Sequence, residues 1–207
     1  MPGGGCELDV DDVGNGTGCL TAMCLSGNAT GIGAASSGDC GTIRIHGGRI
    51  SVSSGTCGTG IGCGWGEHPL NGRLEMHGGT LCATGSRWCY SIKAASCVFA
   101  GGNVVVSGES VVGTTVNADG IKVGCAEVAL PTTWPDGARM TVTGLPGYGT
   151  DDIYAIGGTL GLWLPAGTHS FVVSATGLSG EVLNKDVSNV TSPWKDSTAT
   201  ARWRWLR

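Results

Sequence analysis

Part of this 207-residue chain repeats itself with a period of about 30 residues, and no other feature limits its possible folds so sharply. Thr42-Ile43-Arg44-Ile45-His46-Gly47-Gly48-Arg49-Ile50-Ser51-Val52 recurs as Arg73-Leu74-Glu75-Met76-His77-Gly78-Gly79-Thr80-Leu81-Cys82-Ala83. A looser third copy is Ser96-Cys97-Val98-Phe99-Ala100-Gly101-Gly102-Asn103-Val104-Val105-Val106. Each copy follows a short element carrying an isoleucine, Ile32, Ile61 or Ile92, and Ile121 opens a further turn. These isoleucines are 29, 31 and 29 residues apart.

Within each copy apolar and polar residues alternate, the period of a half-buried strand. Two strands flank a Gly-Gly corner, where glycine reaches positive φ without a Cβ penalty. A third short strand holds the isoleucine. Three short strands per period describe one coil of a parallel β-helix, in which equivalent side chains stack about 4.8 Å apart. The expected inward columns are Ile32/Ile61/Ile92/Ile121, Ile43/Leu74/Cys97, Ile45/Met76/Phe99, Ile50/Leu81/Val104 and Val52/Ala83/Val106. Ser51, Cys82 and Val105 form an outward column. Cys97 is either a small buried hydrophobe or a staple to an adjacent coil.

The pattern Gly-Ile-Gly followed by Thr-Ile-x-Ile-x-Gly-Gly-x-Ile-x-Val resembles the glycine-rich right-handed β-helix repeats of microbial cell-surface, adhesin-like proteins. The resemblance covers roughly residues 30–125 and lies mainly in rhythm. It departs from the usual pattern in its many cysteines, and in His46 and His77 where asparagine is common. It implies a short right-handed parallel β-helix that serves as stalk or adhesive surface, seldom as catalyst. The partners it implies are other surface proteins or glycans.

Composition agrees with a turn-rich all-β chain: 39 of 207 residues are glycine, which weakens helices by about 1 kcal/mol per interior site. After Cys125 the rhythm changes and prolines appear at Pro131, Pro135, Pro146 and Pro165. Arg139–Thr143, Leu160–Leu164 and Ser170–Ser174 still read as strands joined by turns at Pro146-Gly147 and Pro165-Ala166-Gly167. The segment 158–168 is similar to one that often follows such helices in bacterial surface proteins. The expected organisation is a cysteine-rich parallel β-helix over 1–130, a small β-module capping it over 131–180, and a polar linker or tail over 181–207.

The ten cysteines are Cys6, Cys19, Cys24, Cys40, Cys57, Cys63, Cys82, Cys89, Cys97 and Cys125. An even, high count at irregular spacing is the habit of a disulfide-stapled extracellular chain, with all ten as candidates and the pairing left open. No two are three apart, as zinc pairs prefer. Sequons at Asn15, Asn28 and Asn189 agree with an extracellular or cell-surface glycoprotein. The first seven residues lack the regions of a secretory leader, so either a leader was removed or the chain is not secreted; cysteine usage favours the first. A net charge of -4 gives no footprint for nucleic acid, and no apolar run is long enough to span a bilayer. The alternating Arg202-Trp203-Arg204-Trp205 reads as an edge strand or tail rather than a membrane-surface motif.

Three kinds of chemistry are open to these side chains. His46 and His77 occupy the same place in consecutive copies and should stack, the beginning of a metal or pH-sensitive ladder. The third copy offers only Ala100 there, so a solvent-facing corner is the simpler expectation and no metal or other cofactor is expected. Trp65 and Trp88 lie in inter-strand loops and are candidates for stacking on sugar rings; packing over a corner is the competing reading. Glycoside hydrolysis needs two carboxylates facing one bond, and no pair of acids recurs on one face. Glu75, opposite Arg44 one coil away, reads as a cross-strand ion pair. The expected function is therefore a rigid structural and interaction protein: a piece of a larger adhesin or an extracellular fibre subunit able to associate end to end. A carbohydrate-binding module using Trp65 and Trp88 is the alternative, and a polysaccharide lyase or hydrolase ranks third.

Overall fold

The alternating segments become strands at the places the repeat dictates. The computed structural model describes residues 7–10, 18–25, 27, 29–35, 38–55, 57–64, 66, 71–86, 89–107, 109–148, 153–176 and 182–192. Every regular element among them is a strand. The first turn of chain supplies β1 (Glu7–Val10), β2 (Cys19–Met23) and β3 (Ile32–Gly33). The second supplies β4 (Thr42–Ile45), β5 (Arg49–Ser53) and β6 (Ile61–Gly62), and the third β7 (Arg73–Met76) and β8 (Thr80–Thr84). Then come the long β9 (Tyr90–Phe99), β10 (Asn103–Ser107) and β11 (Glu109–Val116).

Strands one period apart pair in parallel. One sheet runs β1-β4-β7-β9-β6-β3 with β11 also on β9, and a second runs β10-β8-β5-β2. The registers are those of the expected columns: Ile43↔Leu74↔Cys97, Ile45↔Met76↔Phe99, Ile50↔Leu81↔Val104, and Val52↔Ala83↔Val106. Most of these side chains are fully buried in one cluster, Cys97 among them, with Val106 at its margin. Burial of each large aliphatic contributes about 1.5–3 kcal/mol. The corners turn on Gly48, Gly79 and Gly102, at φ of 75°, 74° and 81°. A Cβ on Gly79 would lie 2.5 Å from the carbonyl carbon of Gly47, so the stacking leaves no room for a side chain there.

One member of the isoleucine column is corrected. Ile32, Ile61 and Ile92 align, but Val111 of β11 follows Ile92, and Ile121 is half exposed. The cause lies in β9. In the first and second turns a loop separates the isoleucine strand from the next strand; in β9 both are fused, and one strand pairs with β6 and then β7. The period shortens accordingly. Ile121 instead ends a tight reversal in which Asn117 Oδ1 accepts hydrogen bonds from the amides of Asp119 (3.0 Å) and Ile121 (2.9 Å).

That reversal starts the C-terminal module earlier than residue 131. β12 (Val123–Ala129) pairs antiparallel with a later strand, and β13 (Arg139–Thr143) and β14 (Ile153–Tyr154) follow. β15 (Thr159–Pro165) is the partner of β12; β16 (Gly167–Thr176) and β17 (Val182–Ser192) complete a sheet ordered β14-β13-β16-β17. The expected tail therefore contributes a strand over 182–192, because its main chain completes the edge of β16 despite its polar sequence. The β12–β15 ribbon serves two cores at once. Ala126, Val128, Leu160, Leu162 and Leu164 belong to the module's own core, whereas Val123, Cys125 and Trp163 belong to that of the repeats. Trp163 stacks on Phe99 with ring centroids 4.2 Å apart. The amide of Gly161 donates to Asn103 Oδ1 (2.8 Å), and Asn103 Nδ2 donates to the Tyr154 carbonyl (2.8 Å).

Candidate functional site

The fusion seen in β9 shows what the earlier turns do differently: between β6 and β7 the chain leaves the sheet at Cys63 and returns at Gly72. The foot of this excursion is pinned. Cys63 Sγ lies 2.8 Å from the Asn71 carbonyl, and the Ala95 amide below donates to the Gly72 carbonyl (3.1 Å). Lys93, buried beneath, sends Nζ upward to the carbonyls of Gly64 (2.8 Å) and Gly66 (2.9 Å). A buried lysine is normally paired or hydrogen-bonded in this way, since an unsatisfied one is costly. The residues on both sides of Trp65 are thus held from below. The side chains of Trp65 and Trp88 lie outside the described residues.

Two sulfurs meet at the same foot. Cys40, at the end of the loop between β3 and β4, has its Sγ 3.2 Å from Cys63 Sγ, and both residues are buried. The contact between the two sulfurs pulls the Cys63 thiol below its ordinary range and, reciprocally, holds the Cys40 thiol above its own; burial raises both. Cys97 and Cys125 are more deeply placed, and loss of solvation pushes each to about 12. Cys82 is raised for the same reason, and Cys19 is exposed. Cys57 and Cys89 come together through the Cys89 thiol, which donates to the Cys57 carbonyl (2.9 Å). Cys24 follows β2 directly, with its amide on the Ser53 carbonyl, and Cys6 lies outside the described residues.

On the outward face of β4 and β7, His46 and His77 stack as the repeat predicts, with centroids 5.0 Å apart and planes within 6°. Glu75 joins them to the arginines. Its carboxylate accepts from Arg44 Nε (3.1 Å), pairs with Arg73 Nε, and lies 3.2 Å from His77 Nε2. Burial alone would raise the Glu75 pKa, but the His77, Arg73 and Arg44 contacts outweigh it and hold the carboxyl below its ordinary value. Among the described residues no three His, Cys, Asp or Glu side chains converge as a metal site. Of the sequons, Asn189 is exposed in β17 at φ 59°, beside a register shift in the β16–β17 ladder; Asn15 and Asn28 lie outside the described residues.

Lys93 and Asn103 were not singled out in the sequence. Lys93 stands where the earlier turns have Gly33 and Gly62, and a long polar residue in a glycine column was the available signal. No family model, curated protein or solved structure matches the chain.

Proposed function

We propose that this chain is a structural and interaction protein of the cell surface or extracellular space, built as a short right-handed parallel β-solenoid with its C-terminal end closed by the β-module. The observation that carries this reading is the in-register parallel pairing of equivalent strands from turn to turn. Parallel crossovers within one sheet are right-handed in about 98% of cases, which favours that hand. Such a stack presents long, regular outer faces and derives its stability from contacts between neighbouring repeats.

Its two ends differ. Trp163 and β15 cover the end at Phe99 and β10. At the other end no further strand pairs with β1, β2 or β3 among the described residues, and Leu20, Met23 and Leu25 are exposed. Open strand edges invite pairing with another chain. Because, among the described residues, one end is covered and the other presents unpaired strands, association through the latter joins two copies head to head and stops there, a closed dimer rather than a fibre. Sedimentation velocity over a range of concentrations tests this: the wild type should shift from monomer to dimer, and Leu20→Lys with Met23→Lys should remain monomeric. A wild type that stays monomeric throughout would remove self-association from the reading.

Carbohydrate binding is favoured by a separate observation, the hold of Lys93 on the carbonyls flanking Trp65. A loop fixed at its foot presents an aromatic ring at low entropic cost. Glycan-array binding that survives intact in a Trp65→Ala, Trp88→Ala variant would dismiss this second role.

A further inference from the structure

Cys40 and Cys63 belong to loops of successive turns, 23 residues apart in the chain, yet their sulfurs are in contact at 3.2 Å. Nothing separates them. Gly72 makes room for the pair, since a Cβ there would lie 2.2 Å from Cys40 Sγ. Forming a bond of ~2.05 Å requires the sulfurs to close by about 1.2 Å, within reach of side-chain rotation. From this geometry we propose that Cys40 and Cys63 are partners in a disulfide that clamps the foot of the 63–72 excursion to the preceding loop.

The chemistry is thiol–disulfide exchange with a small-molecule disulfide of the glutathione class as oxidant. One of the two cysteines loses its proton to solvent, and its thiolate attacks one sulfur of the external disulfide. That S–S bond breaks, and the departing thiolate takes up a proton. The other cysteine, deprotonated in turn, attacks the sulfur of the first, breaks the mixed disulfide and releases the second small thiol. Two cysteines are oxidised and one external disulfide is reduced to two thiols. Both sulfurs are buried in the finished fold, so the exchange belongs to folding, before the loops close over them.

The pairing does not depend on the surface role, because the oxidant can be supplied in the tube. The full chain is folded in a mixture of reduced and oxidised glutathione, remaining thiols are alkylated, and unreduced digests are mapped by mass spectrometry. The expected product is a peptide pair joined through Cys40 and Cys63, lighter by the two hydrogens lost. Alkylation of both residues in the folded protein, or a bond from either to a different cysteine, overturns the proposal. A missing cross-link says nothing against dimerisation, and a monomeric chain says nothing against the cross-link.

Discussion

At Glu75 a single carboxylate gathers two guanidinium groups and an imidazole, on an outer face where isolated ion pairs contribute little. Its acidity gives the cluster a measurable signature. A carboxyl with a folded-state pKa below its unfolded value stabilises the fold above the unfolded pKa, and that contribution is lost as pH falls through the folded one. The stability difference between the wild type and Glu75→Gln should therefore be about 1 kcal/mol at neutral pH and shrink toward zero in acid. Denaturant titrations at about pH 7 and about pH 3 check it; a difference that grows in acid would reverse the sign. Residue by residue, the pairing of Arg44 with Glu75 and the stacking of His46 on His77 were legible because a repeat places equal positions side by side. Lys93 was not, because its partners are carbonyls, which side-chain patterns do not display.

Among the elements, β15 is the most constrained, since it packs on both faces. Gly161 is where it comes closest to the repeats: a Cβ there would lie 2.2 Å from the Val104 carbonyl oxygen. Gly161→Ala should destabilise the chain by about 1–3 kcal/mol through forced displacement of this strand. The denaturant midpoint measures the loss, and a neutral outcome would mean that the contact relaxes freely. Strands β4, β5, β7 and β8 could be read in advance from the joint action of two periods, alternation along the strand and recurrence between turns. β11 and β17 could not. β11 escaped because the fused β9 shortens the period, leaving Ile121 as a false match for Val111. β17 escaped because its pairing rests on main-chain hydrogen bonds, and its sequence is mostly polar.

For the molecule as a whole, the shared ribbon couples the two cores. Trp163 lies in the repeat core while its neighbours Leu162 and Leu164 lie in that of the module, so neither can be lost without uncovering the other. Thermal unfolding should show one transition, with equal van't Hoff and calorimetric enthalpies. Trp163→Ala should lower stability by about 3–5 kcal/mol and keep the transition single; separation into two steps would show that the cores melt independently. The cap was legible as a requirement, since a stack with an uncovered end invites association, and segment 158–168 marked its place. Its start at β12 was not legible, because antiparallel partnership across some 40 residues leaves no local trace.

The latch between Asn103 and the module has a consequence for how such a chain can change in length. Thr80 and Asn103 hold the same place on adjacent turns, and both bond to Tyr154, but Asn103 alone also receives Gly161. Additional turns inserted ahead of β7 would meet neighbours of their own kind, whereas any inserted after β10 would break the latch. Length can change ahead of β7, and the end held by Asn103 is the fixed mark from which it is measured.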